Sequence, residues 1–367
     1  MTTSDTVRQY HRARKMCAYA GWTLDTVVWL LMAGGFSLMV REGAAEFSSH
    51  QAVINAIYIT VLAAGMSLLH FPLRFFLGFI LEHSFRLSNQ TFFGWWKDDL
   101  KQSALGFAVM LVLVEVLYAF LGRFPSTWWI WAAVFWLFVA LFLARIFPQY
   151  IIPLFFKYSA VENTDLRARI RDLFTRCRVE LKDVYLIDLS TKTKKANAFV
   201  CGLGKSRRVV LSDTLVANFT PAEIEAVVAH EIGHHKHKDI LKILAFNTAL
   251  TFLGFYLLDM LLRELLPRLG AQRLDDIAYF PVLALAANFY GLVTAPLANA
   301  FSRRIETRAD RFSLELTRRT DDFISMMKKL GELNLADFEP SWFDVMMFYD
   351  HPPVGERIRF AQQFKMS

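Results

Sequence analysis

Thr220-Pro221-Ala222-Glu223-Ile224-Glu225-Ala226-Val227-Val228-Ala229-His230-Glu231-Ile232-Gly233-His234 reads as a helix that carries chemistry. Thr220 with Glu223 three residues on is a capping box, and Pro221 sits where a helix accepts proline. Ile224, Val227, Val228 and Ile232 recur at helical spacing and supply a buried face. His230 and His234 are four apart, so both imidazoles project from one face and can bind the same zinc ion. Glu231 follows the first ligand directly, where a carboxylate can serve as general base towards an attacking water. His235 and His237 project away from that face and are expected to be solvated.

A hydrolytic metal site needs a third protein ligand and an open position. Glu306 supplies the candidate, within Asn299-Ala300-Phe301-Ser302-Arg303-Arg304-Ile305-Glu306-Thr307-Arg308-Ala309-Asp310. Asp310 lies on the same helical face, which suits hydrogen bonding to a ligand imidazole and fixing its tautomer.

Around these two motifs the composition is that of a membrane protein. Of 367 residues, 54% are hydrophobic, 34 are Phe, and only 20% are charged. That excludes a disordered chain, which lacks apolar surface, and three cysteines are too few for a disulfide scaffold. Cys17, Cys177 and Cys201 show no paired ligand spacing and read as structural thiols in a reducing compartment. A net charge of +7 without a nucleic-acid-binding motif argues against nucleic acid as a partner.

Six stretches are long and apolar enough to span a bilayer: 22–40, 52–73, 105–121, 128–144, 243–262 and 277–302. Asp25, Glu115 and Asp259 fall inside three of them and are expected to face the bundle interior or a water-filled cavity, as buried polar pairs or as functional groups alike. Pro72 and Pro281 are expected to mark kinks. Arg8, Arg12, Arg14 and Lys15 precede the first span, which reads as an uncleaved anchor with a cytoplasmic N-terminus. The expected organisation is a four-span membrane domain (1–147), a first catalytic part with the metal-binding helix (148–242), a transmembrane hairpin (243–302) and a second catalytic part (303–367). The first catalytic part should hold a helix around 166–179 and strands at 184–188, 198–201 and 208–211. The metal should sit where the fifth and sixth spans enter the membrane.

The sequence resembles the type I integral-membrane CAAX prenyl proteases, which are gluzincin metalloproteases. The likeness is carried by Glu82-His83-Ser84-Phe85 with Asn89-Gln90-Thr91, Pro148, Pro153-Leu154-Phe155, Asn197-Ala198-Phe199 and Val209-Val210-Leu211-Ser212-Asp213-Thr214-Leu215. It continues through the two metal motifs to His351-Pro352-Pro353 and Glu356-Arg357. The resemblance implies an α-helical polytopic membrane protein with about six transmembrane helices and a cytoplasmic α+β gluzincin-type zinc protease domain. It further implies one Zn2+ per chain, and Asn197, Ala198 and Phe199 on an edge strand that pairs with the substrate backbone. By the same likeness, His351 and Arg357 help stabilise an oxyanion. There are departures. Eukaryotic members have a seventh span, Arg86 stands where a glycine is usual, and Phe199 replaces a tyrosine.

The expected activity is endopeptidase cleavage near the cytoplasmic face, on peptide or protein substrates that carry a lipid or are hydrophobic. The expected location is the inner (plasma) membrane of a prokaryote, with the lipid bilayer as a partner and both termini and the metal site cytoplasmic. An HtpX-type quality-control protease is the alternative, and a transporter or scaffold built around the intramembrane acids is a remote one.

Overall fold

A computed structural model describes residues 3–202 and 207–366. Helix α1 (Thr3–Leu31) passes through a π-turn at Met32–Phe36 into α2 (Ser37–Phe47). Gly35 has φ 130° there, a backbone conformation open to glycine but not to a residue with a Cβ. Helix α3 (Gln51–Phe75) continues through a π-turn at Phe76–Leu81 into the short α4 (Glu82–Ser84). Helices α5 (Phe92–Arg123) and α6 (Trp128–Ile146) complete the first four spans. Strand β1 (Tyr158–Ala160), α7 (Thr164–Arg176), β2 (Asp183–Ile187), β3 (Ala198–Cys201), β4 (Arg208–Ser212) and α8 (Asp213–Asn218) lead to α9 (Pro221–Lys236). Two further spans, α10 (Asp239–Leu265) and α11 (Phe280–Thr317), are followed by α12 (Thr320–Leu333), α13 (Trp342–Phe348) and α14 (Val354–Met366). Among the described residues, six helical segments are long and apolar enough to cross a membrane.

The expected helix forms within three residues of its read boundaries and the three strands within one. The described strands make one sheet in the order β1-β2-β4-β3, with β2 and β4 parallel and both outer pairs antiparallel. This leaves β3 at an edge. Ile224, Val228 and Ile232 are buried in a core with Ile170 and Phe174 of α7, Leu211 of β4 and Phe323 of α12. A second core inside the bundle centres on Tyr58, Leu121, Trp128 and Leu262.

The intramembrane acids have partners, as read. Asp25 pairs with His70 Nε2 at 2.8 Å, and Glu115 hydrogen-bonds Asn55. Asp259 accepts from Trp128 Nε1 at 2.6 Å and from Arg263 at 2.8 Å.

Other expectations need correction. Pro281 does not kink a helix; it lies in the first turn of α11, where its missing N–H costs nothing. The divisions at 242/243 and 302/303 both fall inside helices, because α10 begins at Asp239 and α11 runs unbroken from the sixth span to Thr317. Apolar composition marks where a helix leaves lipid, not where it ends.

Arg86 explains its own oddity. Leu87 N–H donates to Glu82 C=O at 2.8 Å and Arg86 N–H to His83 C=O at 2.9 Å, the paired bonds of a Schellman cap. Such a cap puts its penultimate residue in the left-handed region, and Arg86 has φ 57°. Its side chain is exposed, so Arg86→Gly relieves about 1–2 kcal/mol of left-handed strain. The entropy of an unfolded glycine offsets about 0.5–1 kcal/mol of this. A net gain of roughly 0.5–1 kcal/mol in denaturant or thermal unfolding is expected, and a loss would contradict the strain.

Candidate metal centre

Helix α9 is fixed at its start by the predicted capping box: Glu223 N–H donates to Thr220 Oγ1, and Thr220 N–H to Glu223 Oε2. Glu223 also takes Lys329 Nζ at 2.8 Å and Ser325 Oγ at 2.6 Å, which ties α9 to α12. Its other end meets α11. A Cβ on Gly233 would lie 3.2 Å from Ala309 Cα, so glycine lets the two backbones approach closely. That approach carries Glu306 to the histidines.

The ligand-atom distances follow. His230 Nε2 and His234 Nε2 are 3.1 Å apart. Glu306 Oε2 lies 3.2 Å from His230 Nε2, and Oε1 lies 3.5 Å from His234 Nε2. One ligand atom from each residue falls within 4.8 Å of the others. Each imidazole is backed by a carboxylate, with His230 Nδ1 on Asp310 at 2.8 Å and His234 Nδ1 on Asp239 at 3.1 Å. Carboxylates only accept, so both Nδ1 atoms donate and both Nε2 atoms present lone pairs to each other. Glu306 Oε2 is buried without a hydrogen-bond donor. Two facing lone pairs and a carboxylate repel unless a cation lies between them, and the donor set fits one.

Without a metal, a proton takes that place. Burial alone would lower the His230 pKa, but the carboxylates of Asp310 and Glu306 outweigh it and raise the value from 6.5 to about 9. The sign follows. In metal-free protein this histidine's stabilising contribution is complete below about pH 6.5 and is lost as pH rises through about 9. Metal must displace that proton, so apparent metal affinity should fall by about tenfold per pH unit below pH 9. Chelator competition across pH 6–9 checks this, and a flat profile would contradict it.

Glu231 is largely buried beside the two histidines. Burial pushes its carboxyl up; His230 and His234 act against this, and the Val200 backbone N–H donates to it. Asn197 and Ala198 line a cavity of about 270 Å³ together with His230, Glu231, His351 and Arg357. Strand β3 is the sheet edge that the resemblance called for. Ser212 N–H donates to Asn197 C=O. Strand alternation therefore turns the Ala198 and Val200 peptide groups outward. Phe199 is not among the described residues lining the cavity. His351 Nε2 lies 3.4 Å from Glu306 Oε1, and its Nδ1 is 2.9 Å from Asp350, whose carboxylate raises the imidazole pKa.

Three residues behave differently from their sequence reading. Arg357, expected at an oxyanion, donates through Nε to Asp310 Oδ2 at 2.7 Å and through Nη2 to Oδ1. It clamps the carboxylate behind His230. His235 and His237 are half-buried, not solvated. Burial and the neighbouring Arg207 push the His235 pKa down to about 4, while the ring donates to the Val200 carbonyl.

Asp239 was missed. Lys238 takes a left-handed turn at φ 56° that folds the start of α10 back on His234. Asp239 is buried there, with Arg308 on its other oxygen and Lys242 at 3.6 Å. The one sequence signal for it is an acid five residues beyond the second ligand histidine. Asp239→Ala should weaken metal binding by about 10–100-fold. Chelator competition measures it, and wild-type affinity in the variant would refute the role.

Residues 160–365 match peptidase family M48, and residues 2–157 match the CAAX prenyl protease N-terminal domain described as five membrane helices. The chain belongs to peptidase family M48. It is a multi-pass membrane metalloprotease. Within the matched N-terminal region the described residues hold four of the candidate spans. Among relatives of this M48 member, CAAX prenyl protease 1 of Saccharomyces cerevisiae is 29% identical, with 95% of this chain and 80% of the relative aligned. A Bacillus subtilis protein named uncharacterized metalloprotease YhfN is 27% identical, covering 97% of this chain and 84% of the relative. The CAAX prenyl protease 1 homolog of Homo sapiens is 24% identical over 92% of this chain and 80% of its own length. The crystal structure of S. mikatae Ste24p superposes with a TM-score of 0.87 at 24% identity, covering 98% of this chain and 89% of that one. That likeness confirms the fold.

Proposed function

We propose that this M48 protein is a zinc endopeptidase of the CAAX prenyl protease kind, removing C-terminal residues from prenylated or hydrophobic peptides. One observation carries the reading: two helices bring His230, His234 and Glu306 together, with a carboxylate behind each imidazole and Glu231 facing the same cavity. Zinc at this site, one ion per chain, would polarise a scissile carbonyl and acidify water. Glu231 takes the water's proton and passes it to the leaving amine. Ala198, at the free edge of the sheet, pairs with the substrate backbone, Asn197 and Phe199 flank it, and His351 donates a hydrogen bond to the oxyanion. Asp310 and Asp239 hold the imidazoles in the required tautomer, Asp310 itself being held by Arg357.

The N-terminal domain match favours this branch over the HtpX-type alternative. The family assignment leaves no support for the transporter reading. The basic residues in the first turns of α1, ahead of its apolar part, support a cytoplasmic N-terminus, and the location that goes with it is the inner membrane of a prokaryote with the C-terminus and metal site also cytoplasmic. Mass spectrometry of products from a prenylated C-terminal peptide, its unprenylated twin and an unfolded membrane protein tests the substrate. Preferred cleavage of the prenylated peptide is expected. Preference for the unfolded protein would turn the assignment to quality control.

A further inference from the structure

Helix α13 belongs by sequence to the second catalytic part, yet its contacts place it at the membrane boundary. Lys15 Nζ of α1 pairs with Asp344 Oδ2 at 2.9 Å. One and two turns further along α1, Tyr19 and Trp22 pack on Phe348, with ring centroids at 6.2 and 5.8 Å. Trp22 is where the apolar part of the first span begins. On its other side α13 meets α11: Asn299 Nδ2 donates to the carbonyls of Met346 and Met347, and Arg303 Nη1 to those of Val345 and Tyr349. Those two residues bracket the point where the sixth span gives way to Arg303-Arg304. The helix is therefore held at the level where two spans leave lipid.

Its free face is aromatic. Trp342 is 76% exposed and Phe343 47%, and α1 presents exposed Met16, Tyr19 and Trp22 at the same level. Asp344, the acid of the first turn, is turned inward to Lys15 and Ser341. Trp and Tyr gather at membrane interfaces because an apolar ring with a polar edge suits the headgroup level.

We propose that α13 lies in the plane of the bilayer interface, with Trp342 and Phe343 against lipid at the boundary of headgroups and acyl chains. Continuity with α1 and α11 selects the occupant, since a patch at that depth on two spanning helices is covered by lipid. The consequence reaches the metal site. His351 follows α13 by three residues, and the carbonyl of Tyr349 is tied to Arg303, so the segment carrying His351 is pinned between α11 and the membrane.

The test uses the whole protein in nanodiscs. Subtracting the emission of Trp342→Phe from that of the wild type isolates Trp342 from the other eight tryptophans. The difference signal should be quenched at least twofold by phospholipid brominated in the upper acyl chain and little by aqueous iodide. Iodide quenching without a bromolipid effect would overturn the proposal and point to a water-facing surface for a protein partner. A second measurement needs no substitution. A diazirine-bearing phospholipid should label the peptide containing Trp342 and Phe343 in unmodified protein, and its absence from the labelled set counts against the proposal.

Discussion

Glu231→Gln should lower peptide hydrolysis by about 10²–10⁴-fold, the contribution of a positioned general base, while metal content stays at that of the wild type. Glutamine keeps the shape and can still accept the Val200 N–H that holds Glu231. It cannot take a proton. The buried setting that raises the Glu231 carboxyl pKa brings it nearer to the working range of a base, so the acid limb of the rate profile should also vanish in the variant. Turnover with a peptide substrate and metal analysis of the same preparation check the two halves. Full activity would refute the mechanism, and lost metal would show that Glu231 supports the site itself.

Arg357→Ala should cost about 3–5 kcal/mol of stability, because it removes the two-pronged guanidinium partner of a buried carboxylate and leaves it to His230 alone. Asp310 is 1% exposed and holds both Arg357 and His230. Metal binding should weaken as well, by about 10–100-fold, since the carboxylate that orients His230 loses its own anchor. Denaturant unfolding in detergent and chelator competition read the two effects. The oxyanion reading predicts something different: a fall in kcat with stability and metal affinity unchanged. Arg357→Lys separates them further, as lysine keeps the charge but cannot reproduce the two-pronged contact with Asp310.

Much of this site is legible along the chain because helical spacing is local. His230 with His234, and Glu306 with Asp310, each declare a common face within one turn. The cap at Thr220 and the buried stripe from Ile224 to Ile232 are equally local. What the sequence could not order was how separate pieces meet. Arg357 lies far along the chain from Asp310, and only packing of α14 against α11 shows that its guanidinium reaches the carboxylate. Asp239 carries no helical-spacing signal of its own in the sequence, because only the left-handed turn at Lys238 brings it back on His234. Gly233 passed as a spacer within the motif, although its missing Cβ allows the crossing that assembles the ligands. The histidines beyond the motif went wrong for the same reason: a helical wheel shows direction, but not that β3 lies over His235 and Phe312 of α11 over His237.

The unbroken α11 makes the protein a depth gauge. Its 38 residues span about 57 Å at 1.5 Å per residue, with the apolar span in its first part and the candidate metal ligand Glu306 beyond it. Ser302 to Glu306 is one helical turn, about 6 Å, with no hinge between them. The distance from bilayer to Glu306 is therefore set by a continuous helix. On the proposed function, a chain segment would be cut according to how close it can be held to the membrane surface, and a lipid or apolar tail on the substrate would supply that closeness before any side chain is read.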